Sequence, residues 1–216
     1  MTAIPHAAKH LAVWLAEPSY LTLTGNDVTH WTDSVSSRVM ATQGANYPQF
    51  DGESVHVDDE DISIPLQADH VNAARIFLSV IPVSQVTFST LFYSHNFVSL
   101  RLHAVNLYRS LDNGQDFNDF SSSTGRVWVN KVRTSAFSGA HVVSVEKGTE
   151  TNARFSGLRT HFGARHPRTK YLAIIATSEV TDAEGDDITD WLMEYPYSSS
   201  TQRRRIAQLS MQSSPF

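Results

Sequence analysis

KYLAIIATSEVTDAEGDDITDWLMEY, residues 170–195, carries two signals in succession. In the first half Tyr171, Ala173 and Ile175 lie on one side and Leu172, Ile174 and Ala176 on the other, which predicts a strand covered on both faces. In the second half Thr181 stands three residues before Glu184, the spacing of a capping box. Ile188, Trp191, Leu192 and Tyr195 then recur at helical spacing and predict one apolar helix side. A doubly covered strand feeding a short capped helix, after a chain that otherwise reads as strands, is the closing element of an all-β domain.

Working outward, ARIFLSVIPV (74–83) is also apolar on both parities and reads as a second central strand. RVWVNKVRTSAF (126–137) reads as a hairpin with Asn130-Lys131 at its tip, and HVVSVEKG (141–148) as the strand after it. Residues 86–93 and 99–104 alternate as half-exposed antiparallel strands do. Gly25-Asn26-Asp27 marks a turn between Leu21/Leu23 and Val28/Trp31. Val55 and Val57 alternate against Ser54 and His56. Ile62, Ile64 and Leu66 alternate again, with Pro65 marking an edge strand. LAVWL (11–15) is too short for period to separate strand from helix. Roughly ten to twelve short strands punctuated by turns predict a sandwich or jelly roll. The expected organisation is an arm at 1–10, one domain over 11–195, and a Ser-rich, basic tail at 196–216.

Composition bounds the function. The 216 residues, 41% of them hydrophobic, suffice for one all-β domain. A net charge of -5 argues against a general nucleic-acid binder, which needs a basic field. The absence of cysteine removes disulfide frameworks and thiolate chemistry. No basic segment followed by an apolar core reads as a secretory signal, and no run approaches the ~18 apolar residues of a membrane span. These features predict synthesis in a cytoplasm and no membrane insertion.

The order of motifs resembles the concanavalin A-like lectin and laminin G-like jelly rolls, of the type found in bacteriophage virion proteins. It runs through Trp14-Leu15, Leu23-Thr24-Gly25, Val28-Thr29-His30-Trp31-Thr32-Asp33, Ala41-Thr42-Gln43, Pro48 and Phe50-Asp51-Gly52. Val127-Trp128-Val129-Asn130, the strand Leu172 to Thr177 and the helix start Asp182-Ala183-Glu184 complete it. The chain departs from the pattern at Ser34 to Arg38, where a Gly-rich loop is usual, and at Lys131, where Gly is usual. The resemblance implies an antiparallel two-sheet jelly-roll sandwich with one short C-terminal helix. It further implies a non-enzymatic protein of the virion surface, in capsid decoration, a head fibre or the tail, serving display or host-glycan attachment. Its expected partners are other virion proteins, a host cell-surface glycan and copies of itself, as a trimer by analogy. The alternatives are a carbohydrate-binding module of a bacterial surface protein and a carbohydrate-active enzyme.

Candidate sites follow from side-chain chemistry. Sugar rings stack on aromatic faces while polar groups take the hydroxyls, which selects Trp128, Tyr108, Tyr47, Arg101 and His103. Asp58, Asp59 and Asp61, and separately Asp112 and Asp116, are oxygen donors suited to calcium. No paired-carboxylate glycosidase strand, His-Glu-x-x-His or Gly-x-Ser-x-Gly pattern occurs, so the sequence argues against catalysis. In the tail, Arg203, Arg204 and Arg205 with Ile206 and Leu209 form a candidate docking segment for an acidic partner.

Overall fold

The computed structural model describes residues 3–57, 62–67, 70–84, 89–92, 99–103, 106–110, 117–118, 126–134, 142–146, 153–159 and 168–195. The expected metal ligands Asp58, Asp59, Asp61, Asp112 and Asp116, and the tail residues Arg203, Arg204, Arg205, Ile206 and Leu209, lie outside them.

Among the described residues nineteen strands follow one another. The first eight are β1 (His10–Leu15), β2 (Leu21–Thr24), β3 (Asp27–Thr32), β4 (Val39–Ala41), β5 (Gln49–Phe50), β6 (Val55–Val57), β7 (Ser63–Pro65) and β8 (Val71–Ala73). Next come β9 (Arg75–Ser84), β10 (Ser89–Phe92), β11 (Ser99–His103), β12 (Asn106–Ser110), β13 (Phe117–Asn118), β14 (Val127–Val129), β15 (Val132–Arg133) and β16 (Val142–Glu146). The last three are β17 (Ala153–Phe155), β18 (Gly157–Arg159) and β19 (Arg168–Thr177), after which a helix, α1, spans 182–195.

Among the described residues every strand pairing is antiparallel, and the main sheet runs β15-β14-β16-β9-β19-β6-β5-β3-β2. β19 holds β9 along one side. Its other side is shared, with β6 against Thr169–Tyr171 and β1 against Ala173–Thr177. The register slips between Tyr171 and Ala173, where β6 gives way to β1, and a bulge there shifts the parity of the strand.

Alternation sends each strand's residues to two faces. On the inner face Val129, Val143, Leu78, Ile174 and Trp14 lie in one cross-strand row. They share a core with Ile62, Ile64, Val71, Ala73, Leu91, Phe155 and Leu158 of the smaller sheets, so the domain is an all-β sandwich. Trp14 meets the Phe155 ring at 5.0 Å, and Tyr171 donates its hydroxyl to the Leu91 carbonyl at 2.7 Å. On the outer face Val13, Leu15, Phe77, Val142, Ala173 and Ile175 pack against Ile188, Leu192 and Tyr195 of α1. Each fully buried aliphatic side chain contributes about 1.5–3 kcal/mol of transfer free energy, which is why both faces of β19 need a cover.

α1 begins as the spacing predicts: the Thr181 N–H donates to Glu184 Oε2 at 2.8 Å and the Glu184 N–H to Thr181 Oγ1 at 3.2 Å. Its apolar side is narrower than expected, because Trp191 is only half-buried and stacks on Tyr195 at 4.9 Å between ring centroids. Asn130 and Lys131 at the β14–β15 tip both take positive φ, 46° and 70°, the twist a tight hairpin needs. The departure at Ser34–Arg38 is a turn built on Asp33. This buried carboxylate accepts N–H groups from Val35, Ser36 and Arg38 at 2.8, 2.9 and 2.8 Å and the Ser36 hydroxyl at 2.6 Å.

Two outcomes follow. Thr181→Ala should cost about 1 kcal/mol in urea unfolding, the ordinary value of a cap. For Asp33, burial alone would raise the pKa, but the hydrogen bonds from Ser36, Val35 and Arg38 outweigh it and hold the pKa below the usual carboxylate range. A depressed folded-state pKa gives stability that is present above the unfolded value near ~4 and lost as pH falls through the folded value. Asp33→Ala should therefore destabilise by roughly 2–3 kcal/mol at neutral pH, with the gap to the parent protein closing in acid, as read by denaturation at stepped pH.

Candidate glycan-recognition face

The inner-face pairs Phe50–Val55, Val55–Tyr171 and Tyr171–Val80 are buried. Their strand neighbours must then point to the other side of the sheet. Those neighbours form a continuous row across five strands, in which Asp27 faces Gln49, Gln49 faces His56, His56 faces Lys170, and Lys170 faces Ile81. Along β9 Phe77 lies under α1, whereas Ile81, two pleats further on, is exposed. The helix therefore covers one end of this face and leaves the polar row in solvent.

Asp51 organises the centre. Gly52 takes φ +96°, a conformation that glycine adopts without strain, and turns β5 back into β6. Within the turn Asp51 Oδ1 accepts the Glu53 and Ser54 N–H groups at 2.9 and 2.7 Å and the Ser54 hydroxyl at 3.1 Å. Asp51 Oδ2 accepts His56 Nε2 at 2.6 Å and Lys170 Nζ at 3.1 Å. Burial would raise the Asp51 pKa, but these donors, from Glu53, His56, Ser54 and Lys170, hold it well below the usual carboxylate range.

At the end of the row the 42–50 loop is stitched onto the β2–β3 hairpin. The Val28 N–H donates to the Pro48 carbonyl and the Phe50 N–H to the Asn26 carbonyl, both at 2.8 Å. Gln49 Nε2 donates to Asp27 Oδ1, with the Tyr47 carbonyl at 3.4 Å. Tyr47, at the lip of this loop, is exposed. An exposed aromatic residue thus lies two positions from a planar amide that is bonded to a carboxylate.

Trp128 takes no part in this row. Trp128, expected to present a free ring, is only 6% exposed. It sits in the row Trp128, Ser144, Phe77, Ile175 and Val13 on the helix side of the sheet. The Arg75 guanidinium lies 3.7 Å and that of Arg126 5.0 Å from its centroid, so its stacking partners are already in the chain. Arg75 is buried, donates from Nε and Nη2 to Ser144 Oγ at 3.1 and 2.8 Å, and fits beneath the absent side chain of Gly185. Burial lowers its pKa to about 10 against the pull of Glu146, Asp182 and Asp186. Arg101 and Tyr108 are direct backbone partners on β11 and β12, and His103 pairs with Asn106 at the end of the same ladder; the strand pairing thus brings these three together, away from Tyr47 in sequence. Among the described residues no three His, Asp or Glu side chains converge to hold a metal ion.

No family model matches the sequence, and no curated protein matches it significantly. Solved structures do share its fold. Trypanosoma rangeli sialidase superposes with a TM-score of 0.52 at 11% identity, covering 89% of this chain and 34% of that one. The same sialidase in complex with 2,3-difluoro-KDN gives 0.51 at 9% identity, covering 89% and 33%. This chain thus spans about a third of the length of those sialidases. The likeness concerns the fold alone; because the solved chains it matches are sialidases, it overturns the expectation of a non-enzymatic protein that the missing motifs had suggested. The missing sequence patterns do not exclude catalysis, since motifs are only a part of the ways a site is built.

A direct check of the row is the titration of Asp51. Followed by carboxyl-carbon NMR, it should stay ionised to lower pH than an ordinary aspartate, and in a His56→Gln, Lys170→Met double variant its midpoint should move back toward the usual range near ~4.

Proposed function

We propose that this chain binds glycans through the exposed end of the main sheet, with Tyr47 as the stacking platform and Gln49 and Asp27 as partners for sugar hydroxyls. The observation that carries the reading is the exposed Tyr47, its carbonyl 3.4 Å from the Gln49 amide that bonds Asp27, at the head of the polar row. The surrounding β-sandwich, shared with part of a sialidase, supports it at the level of fold. Sugar hydroxyls need both donors and acceptors, and an amide supplies both at once.

The setting we propose is attachment at the surface of a bacteriophage particle, together with other virion proteins and as a homo-oligomer. It is supported by the motif order from Trp14-Leu15 to Asp182-Ala183-Glu184. Recognition by a bacterial carbohydrate-binding module would use the same face.

Tyr47→Ala should weaken binding to the glycans retained on an array by about tenfold, the loss expected when a stacking ring is removed from a binding site, with the melting temperature unchanged. Undiminished binding in that variant would place the site elsewhere. Assay of the retained glycans for hydrolysis reports whether binding leads to turnover.

A further inference from the structure

Asp51 divides its hydrogen bonds between its two oxygens. Oδ1 takes the Glu53 and Ser54 N–H groups that make the turn, and Oδ2 takes His56 and Lys170. Lys170 Nζ and His56 Nε2, cationic or potentially cationic donors next to Gln49, are therefore committed to a carboxylate within the chain. Asp27 flanks them in the same row, and the exposed Glu53 lies in the Asp51 turn. The row thus sets Asp27, Asp51 and Glu53 against Lys170, with His56 adding charge only when protonated. A carboxylated sugar arriving here meets an excess of like charge and a lysine whose charge is already paired. A neutral sugar carries no such penalty.

We infer that Asp51 is the specificity-determining residue of this face: by engaging Lys170 and His56 it makes the site select neutral saccharides over carboxylated ones. This rests on the glycan-binding reading above. The selectivity does not come from contact between Asp51 and the sugar; it comes from what Asp51 withholds.

The division of labour makes the test clean. In Asp51→Asn the side-chain carbonyl still accepts the Glu53 and Ser54 N–H groups, and Asn suits such turns as well as Asp does. The second oxygen becomes an NH2 group, which cannot accept from Lys170 or His56. Binding is measured by calorimetric titration with matched glucose- and glucuronate-terminated oligosaccharides, alongside thermal melting. The wild-type chain should favour the neutral series. In Asp51→Asn the ratio of carboxylated to neutral affinity should rise by about tenfold, and adding Lys170→Met should abolish that rise. Should Asp51→Asn fail to fold, Glu53→Gln leaves the turn carboxylate and Asp27 in place and should raise the same ratio.

Equal wild-type affinity for both series overturns the inference, as does a flat ratio in a folded Asp51→Asn protein. In either case neutral binding that depends on Tyr47 leaves the parent reading standing. Failure of the wild-type chain to bind any member of the panel or of a broad array removes both.

Discussion

Coverage of β19 on both faces is the constraint to which the rest of the structure answers. A strand with Ile174 and Ala176 on one side and Ala173 and Ile175 on the other has no solvent face. The sandwich core satisfies the first side and α1 the second. The second requirement explains the capping box, since a helix of 14 residues at 182–195 has to start at a defined point to lay Ile188, Leu192 and Tyr195 on the sheet. It explains Gly185 too, because any side chain there would collide with the Arg75 guanidinium at 2.4 Å. The helix is shorter than the face, and the uncovered remainder is where the polar row emerges.

That one sheet face solves two electrostatic problems in opposite ways. Under the helix, Arg75 is taken out of water and compensated by an aromatic face, a serine hydroxyl and nearby carboxylates. Beyond the helix, Lys170 and His56 stay partly hydrated and are held by Asp51 alone among the described carboxylates. Buried charges are retained only with such compensation, so the first arrangement is structural. The second keeps solvent access.

Much of the frame was legible in the residues because it depends on local period. The two-sided strands at 74–83 and 170–177, the Gly25-Asn26 turn, the Asn130-Lys131 tip and the Thr181–Glu184 box all stand where spacing places them. The site was less legible. Asp51 and Lys170 meet across 119 positions of sequence, and no local pattern announces that register. Trp128 was misread for a related reason: alternation gives the side of a sheet a residue takes, but not whether a helix and an arginine from elsewhere cover that side. Tyr47, one of the aromatics that the sequence offers, is exposed. Missing motifs argue against catalysis, and the likeness in fold to solved sialidases corrects that argument.

The first described strand pairs with the last, and the seam is reinforced beyond the strands: His6 Nε2 lies 2.9 Å from Asp187 Oδ2, 181 positions away, and Lys9 donates to the Glu179 carbonyl across 170. Such a molecule is assembled late. During synthesis β1 has no strand partner until β19 has been made, although Trp31 and Ser34 already reach its Leu15 and Val13 carbonyls. Contacts this distant in sequence slow folding and prolong exposure of sticky segments. The seam between β1 and β19 therefore sets the longest loop that folding has to close.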